Sequence, residues 1–431
     1  MNEKLFQLIH QDNPWLKNST SLVISQEHYY IARFQIDSLL DAEWDHLWLI
    51  LVGPRQAGKT TLGKHACSAL LQKQRFKSLL YLNCDRLEIR EWLKNSLFIN
   101  EAITTFDLRQ PILFIDEVQR LESPGLLLKT IVDLKLPIKL IASGSSQLEI
   151  KSKVQEFLTG RHIEFVILPL SNQELIAAHL PTNDTIIYGN YPAVIQSMHK
   201  DILLQQLYQQ YIDKDIIEFL KIGKSDIVQK LITLLAHASG QLINYNQLAV
   251  DCGVSITAIK NYITILEKTY VIYSIKPFVG NKRSEITKNP IIYFIDNGFR
   301  NQALNNFLAL ESRIDAGLLV ASAIFQELLK YKHQRFLNYT IHYWRTTSGA
   351  EVDFIIKINA DNFVPIEVKY RHLKALTIPR SLRSFIEAYQ PKIAIMITKD
   401  YIGQIKIDAC TIHLLPLSHF NHCLDLISKF K

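Results

Sequence analysis

The chain predicts an α/β protein: a parallel sheet flanked by helices, then a helical stretch with a tight turn, then a second α/β region. Three observations carry this. From Trp48 to about Leu170, the short apolar runs "LWLILVG", "SLLYLNC", "PILFID", "IKLIASG" and "FVILPL" alternate with helical stretches, as parallel strands joined by helical crossovers do. A glycine-rich turn joins the first run to a helical pattern. From about residue 290 strands return, clearest in "EVDFIIKINADNFVPIEVKY", Glu351–Tyr370, which alternates with period two around a polar turn.

Residues 1–45 read as a helical lead-in. Pattern changes place boundaries near 170, 225 and 285, dividing the chain into 1–170, a helical linker or lid at 171–225, a helix-turn-helix at 226–285, and the second α/β region at 286–431. With 431 residues, there is length for several cores, and 48% hydrophobic with 21% charged residues is ordinary for a folded protein. The net charge of +7 permits a nucleic-acid partner without requiring one. Five cysteines (Cys67, Cys84, Cys252, Cys410, Cys423) lack CxxC spacing, so a disulfide frame or zinc site is not expected. The start is interrupted by charge and Pro14, unlike a signal peptide. No apolar run approaches the roughly 20 residues that span a bilayer. These features lead us to expect a cytoplasmic protein without a membrane partner.

"LILVGPRQAGKTTL" carries the strongest chemistry. A strand runs into Gly53-Pro54-Arg55-Gln56-Ala57-Gly58-Lys59-Thr60-Thr61 and then a helix, the setting in which a P-loop works. Glycines let backbone N–H groups turn inward around phosphate oxygens, and the helix adds its positive N-terminus. Lys59 is expected to reach the β- and γ-phosphates of ATP and Thr60 to ligate Mg²⁺. "PILFIDEVQRL" reads as a buried strand ending at Asp116-Glu117. Asp116 at the strand tip is expected to hold Mg²⁺ through water, and Glu117 to activate the attacking water. In "IKLIASGSSQ" the polar tip Ser143, Ser145 and Ser146 falls where a γ-phosphate sensor sits, and Ser145 is the candidate. "LTGRHIEF" offers Arg161 as a stabiliser of transition-state charge, in its own chain or from a neighbouring copy; a surface arginine at a helix end is the plain alternative.

"NYNQLAVDCGVSITAIKNYITILEKTYVIYSIKPF" reads as a helix, a turn at Gly253, a second helix capped by Ser255, and a wing strand. Ile256, Ile259, Ile263 and Leu266 form its apolar stripe. Thr257, Lys260 and Asn261 lie on the polar face with Thr264, where phosphates and base edges are met. Residues 221–290 hold nine Lys/Arg against four Asp/Glu. DNA contact and a protein-packing role both fit this pattern.

The stretches "GPRQAGKTTL", "LFIDEVQRL", "ASGSSQ" and "LTGRHIEFVILPLS" resemble prokaryotic AAA-like ATPases that carry a C-terminal domain of uncharacterised function. "YGNYPAVI", "YIDKDI", "YFIDNGFRN", "GAEVDFI" and "PIEVKY" extend the resemblance over nearly the whole chain. It implies a P-loop parallel sheet with flanking helices, followed by a winged helix and a restriction-endonuclease-like α/β domain.

A hairpin centred on residue 360 sets Asp353 opposite Glu367 and Glu351 opposite Lys369. Opposed carboxylates repel unless a divalent cation lies between them, and Lys369 is placed to stabilise charge developing at a phosphate. This resembles the PD-(D/E)xK set of restriction-like nucleases, which also draws an acid from a preceding helix; Glu327 in "GLLVASAIFQELLKYKH" is the candidate. Val352 stands where that motif has proline. With free spacing the pattern arises about once in a chain of this size, so the alternative is a plain hairpin with a Glu351–Lys369 cross-strand pair. The expected function is an ATPase that acts on or with DNA, with metal-dependent cleavage as an option. The alternatives are an ATP-controlled assembly or signalling switch whose last domain is a scaffold, and a repressor that uses ATP as inducer. A homo-oligomer follows if Arg161 acts in trans.

Overall fold

Strands β1 (Trp48–Val52), β2 (Ser78–Asn83), β3 (Pro111–Asp116), β4 (Lys139–Gly144) and β5 (His162–Val166) form one five-stranded sheet in the order β2-β3-β4-β1-β5, every pair parallel. This computed structural model describes residues 2–16, 30–95, 97–133, 136–145, 161–212, 216, 225–278, 289–372 and 377–429. The chain divides into two compact units, Met1–Leu170 with Lys268–Tyr270, and Ser171–Glu267 with Val271–Lys431. Both have α/β sheets, the expected class.

In the first unit β1, β3 and β4 are buried along their whole length, which is why they read as unbroken apolar runs. β5 starts three residues before the run "FVILPL". It is an edge strand, and His162, Ile163 and Glu164 are only half-buried, so its first half carries no apolar signal. The helix Lys59–Gln72 lays Leu62, Ala66 and Leu70 on Leu49, Leu51, Ile112, Phe114 and Ile141 of the sheet. The lead-in is helical at Glu3–Asp12 and Gln35–Leu39, but residues 30–33 are not. The tips of β1, β3 and β4 share one end of the sheet, where strand order reverses, which is where open α/β sheets bind ligands.

The second unit begins with short helices and the helix Lys200–Tyr211, followed by Ser225–His237, Tyr245–Cys252 and Ile256–Lys268. Most of residues 213–224 lie outside the described residues. β6 (Ile272–Pro277) and β7 (Ile291–Phe294) form an antiparallel hairpin. The helix Ala316–Gln334 leads into β8 (Thr340–Arg345), β9 (Glu351–Lys357), β10 (Phe363–Lys369), β11 (Ile393–Thr398), β12 (Gly403–Ile407) and β13 (Cys410–Pro416). Together they make an eight-stranded sheet, β12-β13-β11-β10-β9-β8-β6-β7. One hydrophobic cluster takes in Tyr191, Leu204, Leu207, Leu231, Ile259, Ile263, Leu266, Ile272, Phe294 and Phe299. It crosses the sequence boundaries placed at 225 and 285, because the hairpin and the helix Asn297–Ala303 complete the core of the helices before them.

A buried carboxylate fastens this region. Asp296 accepts the N–H groups of Asn190 at 2.8 Å and Gly298 at 2.9 Å, and Asn301 donates to the Ile187 carbonyl at 2.8 Å. A Cβ on Gly189, at φ 74°, would lie 1.8 Å from Asp296 Oδ1, so only glycine fits there.

Candidate functional site

Residues Gly53 to Gly58 form the turn between β1 and the helix that starts at Lys59. Gly53 has φ 147° and a Cβ there would stand 2.0 Å from the Ile167 carbonyl oxygen, so glycine is obligatory. Gln56 at φ 56° and Gly58 at φ 93° curl the loop. Pro54 and Ala57 are buried, Arg55 is half-buried and Gln56 exposed. Lys59 is buried, and its ammonium donates to the carbonyls of Gly53 at 3.0 Å and Pro54 at 2.8 Å. A bound phosphate oxygen would compete with those carbonyls from inside the same loop. Thr61 follows on the first helical turn.

Asp116, buried at the tip of β3, gathers three hydroxyls. Thr60 donates to Oδ2 at 2.8 Å, Tyr81 donates to Oδ2 at 2.9 Å, and Ser143 donates to Oδ1. Burial, and then the charge of Asp116, push the Tyr81 phenol well above its ordinary range, so Tyr81 acts as a fixed donor. Thr60 and Asp116 lie 56 positions apart in sequence and meet here; this hydroxyl–carboxylate pair is the donor set that suits Mg²⁺. Glu117 takes a left-handed conformation, φ 54°, and its N–H donates to Ser143 Oγ at 3.4 Å. Ser145 is buried at the end of β4 and accepts from Gln119 Nε2 at 2.9 Å. Ser146 lies outside the described residues.

Arg33 had no motif to announce it. Buried at 3% exposure, its guanidinium donates to the carbonyls of Ala57 at 2.8 Å and Leu168 at 2.7 Å, pinning the phosphate loop to the segment after β5. Tyr81 went unmarked because a tyrosine inside an apolar strand reads as core. Arg161 corrects an expectation. It sits just before β5, where its carbonyl accepts from Trp48 N at 3.1 Å. That is the far end of β1 from the phosphate loop, on the order of 13 Å along the strand. This position does not fit a role at the phosphates of its own chain, and leaves the surface arginine or a role at a neighbouring copy.

In the second unit the hairpin keeps the expected centre: Phe363 pairs with Lys357, Val364 with Ile356 and Ile366 with Phe354. Beyond Phe354 the backbone ladder stops, and Asp353 Oδ2 accepts the Val368 N–H at 2.7 Å. Lys369 bonds Glu367 at 2.6 Å, where the plain-hairpin alternative had it pair with Glu351, while Glu351 lies 3.8 Å from Arg345. Glu367 is 1% exposed and its Oε2 has no hydrogen-bond partner among the described residues. Burial, then the charge of Asp353, push the Glu367 carboxyl up to about 7. Burial likewise raises Asp353, to about 6. Burial works against the Lys369 ammonium, but the charge and hydrogen bond of Glu367 prevail and its pKa is raised.

Glu327 does not join this set, which is a second correction. Its carboxylate bonds Lys330 Nζ at 2.9 Å and the Asn172 N–H at 2.9 Å. The helix face that carries Glu327, Lys330 and Gln334 meets residues 171–172, with Gln334 donating to Ser171 Oγ at 3.1 Å. Among the described residues, no group of three or more His, Cys, Asp or Glu side chains is placed to hold a metal. Asp353 and Glu367 are the two donors present, and the orphaned Glu367 oxygen suits either a proton or a cation.

The helix-turn-helix has the expected joints. Gly253 is left-handed at φ 65°, and Ser255 Oγ accepts from Ala258 N at 3.1 Å. Thr257, Lys260 and Asn261 are all exposed on the second helix, with the Lys260 ammonium 5.5 Å from the Tyr245 ring centre. Ile256 is 41% exposed and leaves the apolar stripe to Ile259, Ile263 and Leu266. No helix among the described residues is long and apolar enough to cross a membrane.

Comparison with known proteins places an AAA domain at residues 45–176. Residues 181–309 match a domain of unknown function (DUF8612), and residues 316–420 another (DUF4143). An uncharacterized protein of Haemophilus influenzae is 22% identical over 408 residues, 90% of this chain and 96% of its own. One from Mycobacterium tuberculosis is 23% identical over 380 residues, 86% and 78% of the two chains. Among solved structures, AMPPCP-bound DnaA from Aquifex aeolicus overlaps 56% of this chain and 89% of its own, at 16% identity and a TM-score of 0.29. The loop from Gly53 to Gly58 thus lies in a stretch similar to an AAA domain, followed by matches to two domains of unknown function.

Proposed function

We propose that this protein binds and hydrolyses ATP·Mg²⁺ in its first unit and uses the cycle to act on or with DNA through its second. The observation that carries the ATPase reading is the bond between Thr60 and Asp116 beside a lysine wrapped in its own loop. Backbone N–H groups of Gly53 to Gly58 and the Lys59 ammonium hold the β- and γ-phosphates. Thr60 and Asp116 hold Mg²⁺, which when bound offsets charge on the phosphate oxygens. Glu117 takes a proton from the attacking water as its oxygen bonds the γ-phosphorus, and the bond to the bridging oxygen breaks to release ADP. Ser145 is placed to donate to a γ-phosphate oxygen. Arg161 fits a role only at a neighbouring copy's nucleotide, which makes an oligomer part of this reading.

In the second unit, Thr257, Lys260 and Asn261 form the face for DNA. Asp353, Glu367 and Lys369 form a divalent-cation site that resembles that of restriction-like nucleases and is suited to phosphodiester cleavage. One observation favours the alternative, a switch with a non-cutting scaffold: Glu327 is bonded to Lys330 and Asn172, leaving two carboxylates where three were expected.

The test measures phosphate release from ATP, and nicking of plasmid DNA with Mg²⁺ or Mn²⁺, for the full chain, Lys59→Ala and Glu367→Ala. Turnover is expected to fall about 100-fold or more in Lys59→Ala; wild-type turnover in that variant removes the ATPase reading. Nicking that vanishes in Glu367→Ala supports a nuclease, and no nicking with ATP turnover intact supports the switch.

A further inference from the structure

Gln119 lies two residues past Glu117, in the short 3-10 turn Val118–Arg120. The left-handed backbone of Glu117 reverses the chain at the tip of β3 and returns Gln119 toward it. From there the Gln119 amide nitrogen donates to Glu117 Oε2 and also to Ser145 Oγ, the latter at 2.9 Å. One side chain thus ties the acid at the end of β3 to the hydroxyl at the end of β4. Gln119 Oε1 is buried and has no hydrogen-bond partner among the described residues, so there the amide is held through its nitrogen.

We propose that Gln119 is a positioning residue for hydrolysis, fixing Glu117 toward the attacking water and linking it to Ser145 at the γ-phosphate. This rests on the ATPase reading above. A glutamate at a strand tip has several rotamers, and a base must lie within about 3 Å of the proton it removes. The amide proton on Oε2 leaves the other carboxylate oxygen to face the water. Ser145 Oγ, by accepting from Gln119, keeps its own hydrogen for a phosphate oxygen. A γ-phosphate that engages Ser145 therefore strengthens the chain of hydrogen bonds that ends on Glu117. The residue has to be an amide: a carboxylate at position 119 would place like charge against Glu117, and an apolar side chain would leave both partners unpaired. Bracing the tips of β3 and β4 is the competing explanation. It predicts losses in nucleotide binding and stability, which the positioning role does not.

The experiment is steady-state ATP hydrolysis over a range of ATP concentrations, with equilibrium binding of a fluorescent ATP analogue. It uses the full chain, Gln119→Ala, Gln119→Asn, Gln119→Glu, Ser145→Ala and the Gln119→Ala/Ser145→Ala double variant. We expect Gln119→Ala to lower kcat about 10- to 100-fold while KM and analogue affinity stay within about threefold. Gln119→Glu is expected to be slower still, and Gln119→Asn intermediate. The double variant should lose little beyond the worse single one, as members of one chain do. Wild-type kcat in Gln119→Ala, equal losses in affinity and kcat, or strictly multiplicative losses in the double variant would each overturn the proposal while leaving the ATPase reading standing. A wild-type chain that does not hydrolyse ATP overturns both.

Discussion

Lys59 with Asp116 in the first unit, and Lys369 with Glu367 in the second, use the same residue types and arrange them in opposite ways. The P-loop holds its cation and its anion apart: Lys59 rests on two backbone carbonyls and Asp116 on three hydroxyls. Each is held by neutral groups of the opposite hydrogen-bonding kind, a setting suited to a ligand of the opposite charge. The hairpin joins them directly, with Lys369 on Glu367 at 2.6 Å, and burial raises both Glu367 and Asp353, the charge of Asp353 adding to the rise at Glu367. Its charges already answer one another, apart from one buried oxygen. On the proposed reading the first site presents separate groups to a phosphate and to a cation, whereas at the hairpin a cation would compete with Lys369.

The largest effect that tests this contrast lies in the first site. Glu117→Gln should keep nucleotide affinity and lower ATP turnover by about 100- to 10,000-fold, read by analogue binding and phosphate release; unchanged turnover would mean that Asp116 and its hydroxyls do not set up a hydrolytic centre. A smaller effect belongs to the hairpin and to pH. Glu367 has its folded pKa raised from 4.5 to about 7, so the folded chain binds more protons than the unfolded one between those values. Stability from this group is present at low pH and is lost as pH rises through that window, by up to about 3 kcal/mol. Glu367→Gln should flatten that decline in urea midpoints measured at pH 5 and pH 8, and an unchanged slope would remove the group from the buried set. The smallest effect is at Arg345, half-exposed and 3.8 Å from Glu351. Arg345→Ala should shift those midpoints by less than about 0.5 kcal/mol; a larger shift would make Glu351 part of the site.

The strand–turn–helix of the first site was legible because such a turn is built from consecutive residues, so Gly53 to Thr61 lie in one run, and Asp116-Glu117 close another at the tip of β3. Hairpin alternation likewise gave the centre at residue 360 and the pairing down to Phe354–Ile366. What lay beyond depended on where the ladder ends. Once the strands part, Val368 turns its N–H to the Asp353 side chain, and Lys369 finds Glu367 on its own strand instead of Glu351 across from it. Helical periodicity tells that Glu327, Lys330 and Gln334 share a face but not what the face meets. Chain order puts Arg161 between β4 and β5 without telling which end of the sheet it occupies. Arg33, Tyr81 and Gln119 act as single side chains reaching across the fold, and no spacing announces them.

The buried carboxylate of Asp296 also sets a timetable. Its partner Asn190 precedes it by 106 residues. At synthesis rates of about 5–20 residues per second, the turn waits on the order of 5–20 s for the group that closes it. Strand β5, the last of the first sheet, is finished at Val166, well before. The chain is thus built to be made in two acts, with the AAA sheet complete while the segment behind it stays unlocked. A ribosome that stops short of residue 296 leaves a finished five-stranded sheet attached to a stretch that lacks the Asp296 clasp.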